Sequence, residues 1–562
     1  DGDVFSQVES GAKGNSQGVV IETGSLTLIN GALIVAVTRG EGNGGQVIIR
    51  ATDSIVFDGE FNQGYLSGVF SAVDSGANGN SGDIQIEAGS LTLTNGTLIN
   101  ASTFGAGNAG KVVIRVADNI LLDGELSQGV ISGIASQVAS GATGDSGGIE
   151  IETGSLLLTN GAIISASTFG EGDAGKVLIQ AIDSIEFNGE DSRGLGSGVF
   201  SRVRSGSTGN SLGVEIQTSS LILDNGTIIS AETQNTGTAG EIKINTTEFI
   251  QLSRGSSIRA SATAEGQAGD LTINTERLSV QDGSEISVSS EFGQTGNLFI
   301  TAEKIILNQG TLSALTGKSG EEEGANITLN GLNFLLISNE SLLSAEALNE
   351  ADGGNIDIDS AYIIVLPSEG ENGSDIIAKA NQGNGGTVNI TATGVFGIEE
   401  QPAIDGNRTN DIDVSSQFGN PGEVTLNVSL DPSRGLTQLP STLVDPSGQI
   451  NRTCAASSRQ SQFTVTGRGG LPENPTDLFS PNLVQDDFGT VIAREEDEEK
   501  EGQADGENSP IYHPPKQIIE AQGWIIDAEG NVVLTAYVPN GTPHGGWQNS
   551  VNCQVSETAS QP

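Results

Sequence analysis

The chain contains no methionine, and only 4% of its 562 residues are aromatic. Large aromatics fill the cores of ordinary globular domains. Their scarcity argues against such a core. Lysine and arginine number 24 against 71 aspartates and glutamates, a net charge of −47. A surface of that sign repels phosphate backbones, which argues against nucleic acid as a partner. Two histidines, His513 and His544, and two cysteines, Cys454 and Cys553, lack zinc-ligand spacing, so no metal or cofactor is expected. No apolar run reaches about 18 residues, so no transmembrane segment is expected. Asp1 opens inside a repeat and no signal-peptide pattern follows it. The expectation is a processed product or the C-terminal part of a longer protein, with its signal and secretion domain upstream.

What the chain does have is glycine, 79 residues of it, and a repeat. Near-identical text starts at Gly11, Gly76, Gly141 and Gly206, a period of 65 residues. A fixed period of this kind decides architecture before any local reading does. Each copy holds two similar units, residues 148–161 and 176–189 in the third copy. Both alternate apolar and polar residues, break, alternate again and end on Asn-Gly. Period-two alternation marks half-buried strands, and Asn-Gly marks a tight turn.

Aligning the first apolar residue of each unit gives a series of anchors. They are Val19, Val47, Ile84, Val112, Ile149, Val177, Val214, Ile242, Leu271, Leu298, Ile327, Ile356, Val388 and Val424. Spacings alternate between 28 and 37 up to Val214 and then settle at 27–29 before lengthening. A turn glycine follows twelve residues after nine anchors: Gly31, Gly59, Gly96, Gly124, Gly161, Gly189, Gly226, Gly283 and Gly310. Constant spacing is what stacked coils require, because a one-residue slip turns core side chains outward. The predicted fold is all-β, a right-handed parallel β-helix of about 14 coils over residues 1–430. Its handedness follows the usual preference of parallel crossovers. The core of one coil is predicted as Ile149, Ile151, Leu156, Leu158, Ile163 and Ala166. The extra residues of the longer coils are placed in protruding loops or longer third sides, at 127–140 and 192–205, the expected seat of function.

After residue 430 the composition changes. Proline becomes frequent (Pro432, Pro440, Pro446, Pro472, Pro475 and Pro481), and residues 494–507 carry the acidic run EEDEEKE. Residues 431–562 are expected to form a small β-rich tail domain with 494–507 as its solvated linker. Within it, 523–538 alternates on either side of Glu529, Gly530 and Asn531, a hairpin pattern. Cys454 and Cys553 bracket this region and are expected to form a disulfide, as suits an exported protein.

Motifs that carry chemistry are few. The segments GEGNGG (40–45) and GEGDAG (170–175) suggest calcium turns, but the copy at 105–110 is GAGNAG, with no acid. Corner geometry explains them better. Paired carboxylates such as Asp53 with Asp118, or Asp118 with Asp183, suggest a glycosidase or polysaccharide lyase. They recur in every copy, which marks a structural position, so the chain is expected not to be an enzyme. A Thr-x-Thr ice-binding ladder begins at Thr92 and Thr94 but becomes Leu157 and Thr159 one repeat later.

The C-terminal segments DIDVSSQFGNPGEVTLNV (411–428), LTQLPSTLVDPSGQI (436–450) and CAASSRQSQFTVTGRGGLPENPTD (454–477) resemble the ends of cyanobacterial filamentous-haemagglutinin-like exoproteins, some labelled S-layer-family proteins. TGRGGLP (466–472) is the most specific stretch, and GWIIDAEGNVVLTA in the tail is similar as well. The resemblance implies export by two-partner secretion through an outer-membrane β-barrel transporter. It also implies an extracellular or outer-surface location and attachment to glycans or other cells. It brings no catalytic residues with it. The alternative is a carbohydrate-active β-helix enzyme.

Overall fold

The computed structural model describes residues 2–59, 67–124, 131–317, 325–429, 523–526 and 532–535. Every named element among them is a strand. The chain divides into two units, Asp1–Thr437 and Gln438–Pro562. In the second, Gly523–Ile526 pairs antiparallel with Val532–Thr535, Gly523 opposite Thr535, as the hairpin pattern implies. Cys454, Cys553, the acidic run and the TGRGGLP stretch lie outside the described residues.

The first unit is a parallel β-helix. All fourteen anchors fall on one ladder: Val19 pairs with Val47, Val47 with Ile84, and so on to Val388 with Val424, each pair parallel. Fourteen first-side strands enclose thirteen turns, a stack on the order of 60 Å at the spacing of paired strands. Each coil has three sides. In the fifth, Ile149–Thr159 supplies the first two and Ile163–Ser165 the third. The first two sides of all coils form one 18-stranded sheet and the third sides a 15-stranded sheet.

The core is a set of aliphatic ladders running along the inside. Ile149, Ile151, Leu156, Leu158 and Ala166 are buried as predicted. Ile163 is not. On the third side Ile164 points inward, with Val199 above it in the stack, and Ile163 is half-exposed. Ala162, Ile164 and Ala166 keep the parity of Leu156 and Leu158 through the turn; the alternation shifts by one residue earlier, at the first corner between Thr153 and Leu156.

The turn glycines fall into two kinds. Gly161 has φ +81 and follows Asn160 at φ 52, so both turn residues are left-handed, a conformation open to Gly and tolerated by Asn. Gly124 has no positive φ; a Cβ there would lie 2.1 Å from the carbonyl oxygen of Asn160 in the next coil. One kind needs glycine for its dihedrals, the other for close stacking.

The third corner explains GEGNGG and its copies. Backbone N–H groups of Asn43, Asn80, Asn108, Asp145, Asp173, Asn210 and Thr238 each donate to the Asn or Asp side chain of the coil before, at 2.7–2.9 Å. The residue before each rung from Asn43 to Asn210 is Gly42, Gly79, Gly107, Gly144, Gly172 or Gly209, all at positive φ. Asn and Asp do the same work here, which is why the copy without an acid is equivalent. Among the described residues no cluster of three or more His, Cys, Asp or Glu is placed to hold a metal ion. None of their elements is a helix able to cross a membrane.

The longer coils place their extra residues differently from the expectation. Ile163 follows the turn glycine Gly161 by two residues, whereas its stacking partner Gly198 follows Gly189 by nine. Most of the excess is therefore a short loop at 190–197, closed by a bridge between Glu190 and Gly196. Gly198–Val203, inside the segment expected to protrude, is a wall strand. Gly133–Ala135 is likewise a wall strand within 127–140, of which 127–130 lie outside the described residues. The remaining two extra residues fall at the third corner: Glu171 lies three residues beyond Thr168, and its partner Thr208 five beyond Val203.

Candidate functional site

The first corner, where side one turns into side two, holds a groove of about 1620 Å³ that crosses eight successive coils. Its floor is made of small residues turned toward the core. Ala51, Val116, Thr153, Ala181, Thr218 and Thr246 are each at most 8% exposed. Pairing shifts register between Thr153 and Ser155 and between Gln180 and Ser184, so coils differ in how many residues round this corner. Small side chains tolerate that variation, and their small size leaves the groove open.

One wall is a ladder of outward side chains. In stacking order it is Glu22, Arg50, Glu87, Arg115, Glu152, Gln180, Gln217 and Asn245. The first five alternate in sign. Arg50 reaches Glu22 at 3.4 Å and Glu87 at 3.2 Å, and Arg115 reaches Glu152 at 3.3 Å. Such exposed pairs stabilise by less than about 1 kcal/mol each. Their larger effect is to cancel charge along the wall. The upper part is a ladder of amides: Gln180 Nε2 donates to Gln217 Oε1 at 3.1 Å, and Asn274, the next rung, donates to Asn245 at 2.8 Å. The opposite lip is Gly24, Thr52, Gly89, Ala117, Ser219 and Thr247, with Ile182, 77% exposed, as its one bulky member.

Asp53, Asp118 and Asp183 lie just past this lip, exposed. Sequence equivalence does not bring them together. Ser90 of the intervening coil donates its N–H to Asp53 O, while Asp118 N–H donates to Gly89 O of that same coil. The acids thus sit two coils apart, about 9.6 Å along the stack.

A second polar cluster closes the far end of the third-side sheet. Residues 401–410 form a loop fastened to two buried acids. Asp411 accepts from Gln401 (2.5 Å), Asn407 (2.7 Å) and Thr409 (3.1 Å). Asp413 accepts from Lys379 (2.9 Å) and from the Ala403 N–H (2.7 Å). Burial pushes the Asp413 carboxyl up, but bonds from Ser415, Lys379 and Ala403 outweigh it and hold it below the usual range. Asp375, one coil below, is pushed up, by burial first and by the like charges of Asp411 and Asp413.

These two acids act oppositely on stability. Asp413 has a folded pKa below its unfolded value, so its contribution is present above about pH 4 and is lost as pH falls through the folded value. Asp375 has a folded pKa above its unfolded value, so its ionised form costs stability at neutral pH, and acidification relieves that cost. Asp375→Asn keeps an oxygen for the Asp411 N–H, which now donates at 2.9 Å. It is expected to raise the melting temperature at pH 7 by about 1–2 °C and to lose that advantage below about pH 4. Melting curves at both pH values check this; a lower melting temperature at pH 7 refutes it.

No protein-family profile, curated protein or solved structure matches this chain. The groove and the aromatic-bearing face described below are not apparent from the anchor series, because both are built from outward residues that meet only across coils.

Proposed function

We propose that this chain is the β-helical stalk of an attachment protein, displayed outside the cell or on its outer surface, that holds extended glycan chains along its first-corner groove. The observation that carries this reading is the groove itself: continuous over eight coils, open, floored with small residues and walled by amides and self-neutralised charges. Amide side chains offer a donor and an acceptor each, which suits sugar hydroxyls. The carboxylates of the wall already face arginines, an arrangement suited to holding a polymer rather than to acid–base cleavage of it. The resemblance of residues 411–477 to filamentous-haemagglutinin-like exoproteins supports export by two-partner secretion through an outer-membrane transporter.

Incubation of the protein with an array of plant, algal and bacterial polysaccharides tests this. Retention without new reducing ends is expected, weakened about tenfold in Gln180→Ala/Gln217→Ala, whose two lost amide contacts correspond to about 1.4 kcal/mol. Release of reducing ends from any polymer makes the chain an enzyme and overturns the reading. Protease treatment of intact producing cells tests location separately: protection of the protein from the protease refutes surface display.

A further inference from the structure

The outward ladder nearest the first corner on side two changes character halfway along the stack. In the lower coils it carries Ser54, Ser90, Asn119, Ser155, Ser184 and Ser220. From the eighth coil it carries Phe249, Arg277, Lys304, Phe334, Tyr362 and Gly394, each paired with the next. A chain with 4% aromatics thus sets three of them on one line of one face. A fourth joins them: Phe396, beside Ile364 on the neighbouring outward ladder.

The details fit a flat platform. A Cβ on Gly394 would lie 2.7 Å from the Phe396 ring and 3.5 Å from that of Tyr362. Glycine therefore leaves room for the Phe396 ring to lie across the sheet toward Tyr362. Both rings are 41% exposed. Lys304 sits over Phe334 at 5.7 Å and Arg277 over Phe249 at 5.9 Å. The exposed acids Glu248, Glu276 and Glu303 directly precede Phe249, Arg277 and Lys304, so the corner bordering this part of the face carries both signs.

We infer that this platform, centred on Phe334, Tyr362 and Phe396, is a second binding site, and that its occupant is a neutral polysaccharide lying along the stack. Pyranose rings present a face of C–H groups that packs on aromatic faces, while their hydroxyls bond to mixed charged side chains. Rungs spaced about 4.8 Å apart are close to the length of one sugar residue, so successive sugars meet successive coils. Acids beside Arg277 and Lys304, and the net charge of −47, disfavour a polyanion or an anionic membrane, for which cations without acidic neighbours are needed. The attachment reading contributes only the ligand class; the site stands on its own residues.

Affinity electrophoresis through gels containing hydroxyethylcellulose, xylan or galactomannan tests the site, with heparin gels and phosphatidylserine vesicles as the other arms. At least one neutral polymer is expected to retard the full chain, equally at 50 and 500 mM salt. Tyr362→Ser/Phe396→Ser is expected to weaken that retardation about tenfold or more, two stacking contacts being lost. Gly394→Val, which keeps both rings but displaces Phe396, is expected to weaken it as well, with circular dichroism and melting unchanged. The groove variant Gln180→Ala/Gln217→Ala separates the two sites. If it alone abolishes retardation, the platform is refuted and the attachment reading stands. No retardation by any neutral polymer overturns the platform, and so does binding confined to heparin or vesicles. Protease accessibility on cells judges the attachment reading independently.

Discussion

Gly172→Val is expected to destabilise the column by about 3–5 kcal/mol, whereas Gly141→Ala is expected to cost only about 1–2 kcal/mol. Both glycines lie in the third repeat at positive φ, +131 and +78. Their surroundings differ. A Cβ on Gly141 meets nothing within 4 Å, while one on Gly172 would lie 2.1 Å from the carbonyl oxygen of Gly144 in the coil before. At Gly141 only the left-handed backbone is penalised. At Gly172 the same kind of strain adds to a backbone collision that nothing but separation of two coils relieves. That separation also breaks the bond from Asp173 N–H to Asp145. Urea denaturation of the two variants measures the difference. Equal losses would mean that the third corner is loose and that its glycines serve only dihedral freedom.

The contrast shows what can be read in such a chain without a structure. Inward positions repeat along the sequence, so the anchors from Val19 to Val424 identify the true stacking ladder throughout. Alternation is a property of one strand and survives in one dimension. It fails where the first corner shifts phase between Thr153 and Leu156: parity counted from Ile149 puts Ile163 inside, and the shift puts Ile164 there instead. It also fails where length alone is visible. The nine extra residues of a long coil leave no mark of being divided between a loop at 190–197 and a two-residue widening of the third corner. Outward ladders are harder still, because neighbours on the surface are separated by a whole coil in sequence. Glu22 and Arg50, or Tyr362 and Phe396, become partners only once the register is fixed. Along that outward ladder serine gives way to Phe249, Arg277, Lys304, Phe334 and Tyr362.

Register also sets the more severe of the two expected losses. Inserting one alanine between Ile185 and Glu186 is expected to destabilise the column by at least about 5 kcal/mol. It turns Phe187, fully buried on side two, toward solvent and drives Glu186 toward the core. Exposing the phenylalanine alone costs about 3–5 kcal/mol, and an unpaired carboxylate inside adds to it. The strand cannot escape by sliding, because Leu158 and Leu223 hold its two neighbours in register with Phe187. Excising residues 141–205 is a far larger change to the chain and a far smaller one to the fold. It joins Ser140 to Gly206, removes one short and one long coil together, and leaves every surviving coil facing a neighbour of the type it had before. In a stack whose stability is nearly a sum over nearest neighbours, the shortened protein is expected to keep its β-sheet circular dichroism. It should also melt within a few degrees of the parent, about 2–4 °C. If the excision unfolds the protein while the insertion is tolerated, the coils are not interchangeable units and the double-coil period is not the unit of stability.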